Sequence, residues 1–242
     1  MLNESDLYPY ETSDFSNNDC LVVAPHPDDE SIGCGGSIVK HIKRGSRVKV
    51  IFLSHGEKGD FRGIFGAEYT KIRQKEAVKA LSILGVKDFE FWGFADRELY
   101  KDKDLIFERL KKEAAAFSPS LVYFPSPYEA HPDHRTAAAI GWQFHQELLI
   151  PAAFYEILMP LYPDMLVNIS GEFRMKESAV KCYETEMEYN DYLSKVEGLN
   201  RCRTLTLPAE VRYAEAFVYF NAEKRDTPGK RILKTLISHS TG

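Results

Sequence analysis

Short apolar runs alternate with amphipathic segments along the first two thirds of the chain. The apolar runs have the length and composition of buried strands and lie at residues 21–24, 48–53, 89–94 and 121–124. The segments that follow them carry apolar residues at helical spacing, at residues 37–44, 67–84, 105–117 and 132–150. Gly45 and Gly85 follow two of these helices as C-caps, and Pro132 occupies the first turn of the fourth.

This alternation predicts the fold class. Repeated strand–helix units favour a Rossmann-like, doubly wound α/β fold, with a mostly parallel sheet and helices on both faces. In such sheets ligands bind beyond the carboxyl ends of the strands. We therefore expect candidate chemistry in the loops that follow the first four strands.

The last third of the chain breaks the alternation. Residues 154–158, 165–169 and 213–220 are predicted strands, and residues 176–193 a predicted helix. We interpret residues 1–18 as a polar N-terminal arm and residues 19–222 as a single domain. Residues 223–242 form a basic tail whose apolar residues have helical spacing.

Charge and hydropathy exclude several classes of protein. The 242 residues include 31 Lys and Arg against 36 Asp and Glu, a formal net charge of −5. Because nucleic-acid-binding proteins usually have a basic excess, we expect no nucleic-acid partner. The chain has no apolar run near the roughly 18 residues of a membrane helix, and its polar N-terminus lacks signal-peptide features. We therefore expect no membrane span and a cytoplasmic location.

Two loops after predicted strands concentrate ionisable side chains. The first loop holds His26, Asp28 and Asp29, and the loop after the fourth strand holds His131 and His134. Two histidines and one carboxylate make up the three protein ligands of a catalytic zinc. The remaining carboxylate and histidine suit a general base and an oxyanion donor. Helix capping is the competing explanation, but two His-Pro-Asp loops at equivalent strand ends favour a metal site.

A glycine-rich segment suggests a different class of site. Gly33, Gly35 and Gly36 follow the first strand, as the glycines of a dinucleotide-binding loop would. The G-x-G-x-x-G pattern, however, requires glycine at Ile38. Nucleotide binding is therefore kept as an alternative function.

Three further residues are candidates for binding substrate. Glu57 follows the second predicted strand, Asp96 follows the third, and Arg73 lies on the helix between them. A guanidinium there could bind a substrate hydroxyl or carboxylate, whereas an ion pair with Glu76 one turn away is the competing explanation. A turn-forming role competes for Asp96.

The two His-Pro-Asp motifs resemble those of the PIG-L/LmbE-like family of N-acetylglucosaminyl deacetylases. The resemblance extends over roughly residues 20–220 through weaker matches at Gly56-Glu57, Arg73-x-x-Glu76, Asp96, Asn168, Lys176 and Glu215. It implies a catalytic domain with one zinc ion per chain, held by His26, Asp29 and His134. It also implies that Asp28 is the general base and that His131, as a cation, stabilises the oxyanion.

The implied activity is removal of the acetyl group from an N-acetylglucosamine-type glycoconjugate by metal-activated water. Another divalent metal would suit the same donors, and a homo-oligomer is compatible with the composition. A nucleotide-binding α/β module and a non-catalytic zinc-binding protein are the alternatives. His55 stands where many relatives have Thr, so the substrate is left open, and residues 60–70 and 151–166 are the expected specificity loops.

Overall fold

The computed structural model describes residues 4–221 and 226–240. Its strands form one sheet. They are β1 (Cys20–Ala24), β2 (Val48–Ser54), β3 (Asp88–Phe94), β4 (Leu121–Pro125), β5 (Ala152–Tyr155), β6 (Met165–Asn168) and β7 (Ala214–Phe220). Their order is β3-β2-β1-β4-β5-β7-β6, and the first five pair in parallel. β7 runs antiparallel to both β5 and β6. The predicted mostly parallel sheet is confirmed.

Helices cover both faces of this sheet. They are α1 (Glu4–Leu7), α2 (Asp29–Lys43), α3 (Tyr69–Leu84), α4 (Lys103–Phe117), α5 (Pro132–Leu148), α6 (Phe173–Val180), α7 (Glu184–Met187), α8 (Tyr192–Cys202) and α9 (Pro228–Ser240). Residues of α2, α3 and α6 share one apolar core, and residues of α4, α5 and α9 share the other. The doubly wound arrangement is thereby confirmed, and chain order reverses between β1 and β4, where such folds bind ligands.

Helix α2 differs most from its prediction, because it begins at Asp29 rather than at residue 37. Its glycines disfavour helix in isolation, but tertiary packing outweighs that preference. A Cβ on Gly33 would lie 2.6 Å from Cε2 of Tyr155, and one on Gly36 would lie 2.7 Å from Cγ2 of Ile169. The glycines therefore let α2 approach the sheet closely, with a kink at Cys34 (φ −137°, ψ 20°).

Other boundaries follow local chemistry. Gly85 ends α3 in the left-handed conformation (φ 86°), as predicted for a glycine C-cap. Ser118 and Leu149 end α4 and α5 in the same conformation without being glycine. The predicted helix 176–193 is instead divided among α6, α7 and the start of α8.

The two ends of the chain contact the domain where they are described. Phe15, in the N-terminal arm, is buried against Tyr123 and Phe217. In the predicted tail, α9 buries Leu233 and Ile237 in the core beside α5. Residues 222–225 and 241–242 of that tail lie outside the described residues. Among the described helices, none combines the length and the apolar character needed to cross a membrane.

Candidate metal centre

The two ionisable loops meet at one edge of the sheet. His26, Asp28 and Asp29 connect β1 to α2, while His131 and His134 lie at the start of α5, directly after β4. β1 and β4 are parallel neighbours, so their carboxyl ends lie side by side. The structure thus brings together residues that lie about 100 positions apart in the sequence.

The side chains of His26, Asp29 and His134 form a triangle, in which each histidine faces a different oxygen of the Asp29 carboxylate. His26 Nδ1 lies 3.2 Å from His134 Nε2 and 3.2 Å from Asp29 Oδ2, and His134 Nε2 lies 3.3 Å from Asp29 Oδ1. In a tetrahedral zinc site with bonds of about 2.0 Å, the donor atoms lie about 3.3 Å apart. All three side chains are buried. Their donor set and spacing therefore fit zinc.

Hydrogen bonds orient the imidazole of His26 toward this triangle, and the carboxylate of Glu129 lies behind that of His134. His26 Nε2 lies 3.2 Å from Asp96 Oδ1 and 3.3 Å from Asp133 Oδ2, which favours a proton on Nε2 and a lone pair on Nδ1. His134 Nδ1 is buried and lies 3.9 Å from Glu129 Oε2, so its Nε2 is the atom that faces the other donors. Asp96 orients a candidate metal ligand and also lines the cavity at the site, so its predicted contact with substrate stays a prediction.

Two other groups of side chains are close enough to hold an ion, namely His26 with His131 and His134, and the cluster of His26 with Asp96 and Asp133. The carboxylates of the latter cluster already have other partners. Asp133 accepts hydrogen bonds from the backbone N–H groups of Arg97 (2.6 Å) and Leu99 (3.3 Å), and Asp96 accepts one from Lys58 (3.0 Å). This cluster is therefore better described as the support of His26 than as a separate metal site.

Burial and charge set the protonation of the donors. Burial alone would lower the pKa of His26, but hydrogen bonds to Asp133, Asp29 and Asp96 outweigh it and raise this pKa well above the ordinary value, so a metal ion that binds Nδ1 would displace a proton from it. Burial would raise the pKa of Asp29, yet its contacts with His134 and His26 lower it. Asp29 is thus ionised at neutral pH, as a metal ligand must be.

Asp28 is held in a strained conformation beside these donors. Its φ of 125° is unfavourable for a residue other than glycine, and its side chain makes no capping hydrogen bond to α2. Its backbone N–H donates to Glu30 Oε2 (3.1 Å), and its Oδ2 lies 3.3 Å from Arg73 Nη2. Burial raises the pKa of Asp28 well above the ordinary value, and Arg73 opposes that rise. The capping explanation for Asp28 is therefore wrong.

Arg73 reaches the site, but its terminal nitrogens are occupied. It donates to the backbone oxygens of Pro27 and, at 3.0 Å, Gly56. Its Nη1 lies 3.4 Å from Glu186 Oε1. Glu76, the alternative partner, instead accepts hydrogen bonds from Thr185. These contacts favour a role for Arg73 in positioning Asp28 over the predicted contact with substrate.

His131 combines a capping role with a place in the site. Its ring centroid lies 4.6 Å from that of His26, and its Nδ1 accepts the backbone N–H of Asp133 at 3.2 Å. Burial, with His26 and His134 nearby, lowers the pKa of His131 to about 4. A neutral ring that accepts at Nδ1 carries its proton on Nε2. Without a metal ion His131 is therefore a neutral Nε2–H donor, and its cationic form in the reaction stays a prediction.

Glu57 does not line the site. It is exposed, and its Oε1 accepts the backbone N–H of Asp96 at 2.8 Å. The prediction that it binds substrate is replaced by a supporting role for the loop that carries Asp96.

A cavity of about 590 Å³ opens onto the donors. Both expected specificity loops contribute to its wall, with Phe61 from one and Leu158 and Met159 from the other. The sequence did not predict the part of this wall that consists of Lys58, Arg97, Glu186, Asn190 and Tyr192. Residues 186–192 carried no signal beyond a polar helical pattern.

The glycine segment has no capacity for a phosphate. The backbone N–H groups of Gly36 and Ser37 each donate to the Glu215 carboxylate at 2.8 Å. Lys176, fully buried, lies 2.7 Å from the same carboxylate. Since these donors are taken and Gly33 packs against Tyr155, the structure contradicts nucleotide binding at this segment.

Comparison with known proteins agrees with the fold and the motifs. The model of the PIG-L family, described as GlcNAc-PI de-N-acetylase, matches residues 21–145. Diacetylchitobiose deacetylase of Thermococcus kodakarensis is 32% identical over 191 residues, 69% of each chain. The 4-oxalmesaconate hydratase of Pseudomonas putida is 26% identical over 224 residues, 81% of this chain and 86% of that protein.

A solved structure shows the same fold. N,N'-diacetylchitobiose deacetylase from Pyrococcus horikoshii superposes with a TM-score of 0.74 at 23% identity, over 90% of each chain. The family match spans just over half of the 242 residues and includes both His-Pro-Asp motifs. The chain belongs to the PIG-L family.

Proposed function

We propose that this chain is a zinc-dependent N-deacetylase that releases acetate from an N-acetylated amino sugar in a glycoconjugate. The triangle of the His26, Asp29 and His134 side chains carries this proposal, because the distances of 3.2–3.3 Å between their nitrogen and oxygen atoms suit one zinc ion. Three protein ligands leave a coordination position open, as in catalytic rather than structural zinc sites. That count disfavours a non-catalytic zinc-binding protein.

Each residue then has a role in hydrolysis. Zinc bound at the triangle would lower the pKa of a water molecule and polarise the acetamide carbonyl. Asp28 accepts the proton of the attacking water and passes it to the amine as the C–N bond breaks. The Nε2–H of His131 donates a hydrogen bond to the acetamide oxygen as negative charge develops on it. Arg73 and Glu30 hold Asp28 in place from outside the reaction.

The partner, the metal, the location and the oligomeric state of the enzyme follow from the same interpretation. Its partner is a small amino-sugar substrate, and another divalent metal is compatible with the same nitrogen and oxygen donors. The cytoplasmic location and the homo-oligomeric state stay predictions from the sequence. The hydratase relative makes addition of water to a carbon–carbon double bond the rival reaction.

Metal content and acetate release test the proposal together. We expect about one zinc per chain in the wild type and in Asp28→Asn, and none in His134→Ala, by elemental analysis. The wild type should release acetate from N-acetylglucosamine or diacetylchitobiose, Asp28→Asn should do so about 10²–10⁴-fold more slowly, and His134→Ala should release none. Full activity of Asp28→Asn would contradict the proposal. So would hydration of an unsaturated dicarboxylate with no acetate release from either sugar.

A further inference from the structure

We propose that Arg97 binds an anionic group, a carboxylate or a phosphate, on the part of the substrate that extends beyond the amino sugar. This inference rests on the proposed deacetylase function and specifies its substrate class. Arg97 lines the same cavity as the zinc-binding triangle, is exposed, and follows Asp96, which contacts His26 at 3.2 Å. Its side chain therefore belongs to the entrance of the site.

The other charged residues of the cavity wall have partners within the protein. Asp28 and Glu186 pair with Arg73, Asp29 and Asp96 with His26, Lys58 with Glu98 (3.1 Å), and Glu129 accepts the N–H groups of residues 157–159. Arg97 differs, because its guanidinium has no ion pair or side-chain hydrogen bond within the described residues. The cavity entrance thus carries one uncompensated positive charge.

The backbone of Arg97 is strained in a way that a simple surface arginine would not require. Its φ is 64°, a left-handed conformation that glycine adopts at no steric cost. Its N–H donates to Asp133 Oδ2 at 2.6 Å, and the same oxygen lies 3.3 Å from His26 Nε2. The strained residue is therefore tied to the carboxylate that orients a candidate zinc ligand. Strain of this kind clusters at functional sites, where a side chain is needed at a set place.

The chemistry of the side chain defines the ligand. A guanidinium presents a planar fork of N–H donors that matches a carboxylate or a phosphate in two parallel hydrogen bonds. Lys58 lines the same cavity and adds positive charge, although Glu98 partly neutralises it. An acidic glycoconjugate fits this entrance better than a neutral one of equal size.

Binding to a matched pair of ligands tests the assignment. The ligands are the N-acetylglucosaminide of a small hydroxy acid and its methyl amide, with N-acetylglucosamine 1-phosphate as the phosphate arm. Titration calorimetry uses the zinc-loaded Asp28→Asn protein, in which hydrolysis is suppressed. We expect an acidic ligand to bind about 10- to 100-fold more tightly than the amide, and this preference to vanish in the double variants that add Arg97→Gly or Arg97→Gln. A preference for only one arm identifies the anion as carboxylate or phosphate.

A second residue with left-handed backbone provides the control for folding. Leu149 is also left-handed (φ 56°) but lies at the end of α5, outside the cavity wall. Leu149→Gly and Arg97→Gly should both keep or raise the melting temperature, and only Arg97→Gly should remove the preference for the acidic ligand.

Several outcomes would overturn the role of Arg97. The first is equal binding of the acidic ligands and the amide, and the second is no binding of either. The third is a preference that survives Arg97→Gly, which would result if the anion bound directly to zinc. Acetate release by the wild type is measured separately on the acidic ligands and on the neutral amide. Its absence from all of them would refute the deacetylase function, whereas release without any Arg97-dependent preference would refute only this inference.

Discussion

Arg73 Nη2 lies 3.3 Å from Asp28 Oδ2 in the interior of the protein, where both side chains are buried. The same guanidinium lies 3.4 Å from Glu186 Oε1 and donates to the backbone oxygen of Pro27, the residue before Asp28. One cation therefore neutralises two buried carboxylates and fixes the backbone of the candidate base. Its loss should affect catalysis and stability together.

Replacing Arg73 by methionine tests this relationship. The substitution preserves bulk but leaves Asp28 and Glu186 without their cation, which costs about 3–5 kcal/mol of unfolding free energy for a buried pair. Displacement of Asp28 should lower kcat at least about 100-fold while the zinc content stays near the wild-type value. Urea unfolding, acetate-release kinetics and elemental analysis measure the three quantities.

Arg109→Met is the matched control for Arg73. Arg109 is partly exposed, lies over the Trp92 ring and pairs with Glu90 at 3.4 Å, away from the cavity. We expect it to change the unfolding free energy by about 1 kcal/mol or less and leave kcat unaltered. A wild-type kcat in Arg73→Met would show that Asp28 does not depend on this guanidinium.

Zinc should stabilise the fold through its three ligands. Because the triangle is formed by residues from β1–α2 and β4–α5, a bound ion links loops that only the native state brings together. Removing metal with a chelator should lower the melting temperature, and zinc at 100 times its dissociation constant should restore about 2.7 kcal/mol. Thermal unfolding at stepped zinc concentrations measures this effect.

Two histidine variants separate the triangle from other metal binding. His134→Ala should lose the response to zinc. His145→Gln should keep it, because His145 Nδ1 contacts the backbone oxygen of Ile150 at 2.8 Å and lies outside the cavity wall. An equal zinc response in both variants would place the stabilising ion elsewhere.

The sequence predicts the sheet well because strand burial leaves a direct mark on composition. β1 and β4 are fully buried and appear as unbroken apolar runs. The two His-Pro-Asp loops were equally visible, since parallel strands place their carboxyl ends together. The start of α2 was not, because helix propensity disfavours its glycines and only the contacts with Tyr155 and Ile169 explain them.

The sequence could not show which charged residues pair with one another inside the site. Arg73 was expected to contact either Glu76 or substrate, and it contacts Asp28 and Glu186 instead. Glu186 lies far along the chain, in a polar segment whose spacing carries no catalytic motif. A charge pattern indicates that ions will be paired, whereas the fold alone determines which ones meet.

Gly33 should tolerate no side chain. A Cβ there would lie 2.6 Å from Tyr155 Cε2 and 2.8 Å from the backbone oxygen of Glu156, so α2 or β5 must shift. We expect Gly33→Ala to cost about 1–3 kcal/mol, which corresponds to about 2–4 °C of melting temperature for each kcal/mol. Gly198→Ala in α8 is the control, since nothing lies within 4 Å of its added Cβ and alanine favours helix. If both variants shift the melting temperature upward, the close approach of α2 to the sheet is not limiting.

His41 should make stability depend on pH. It is fully buried, with Nε2 2.8 Å from the Tyr123 hydroxyl, and burial lowers its pKa from 6.5 to about 4, against a smaller opposing effect of backbone groups at Asn18 and Ser16. Between these values the unfolded chain binds a proton that the folded chain does not, so stability falls as pH decreases from about 6.5 to 4.

The difference between wild type and His41→Asn isolates this effect from other titrating groups. Asp14 and Lys40 also act on His41, but both are present in either protein. With a shift from 6.5 to about 4, the wild type should lose about 3 kcal/mol more than the variant between pH 7 and pH 4. Urea unfolding at several pH values measures both proteins, and parallel curves would show that His41 is protonated in the folded state at its ordinary pKa. Because His41 lies on the face of α2 that packs on the sheet, a measured difference would also show that His41 stays buried in the folded protein at low pH.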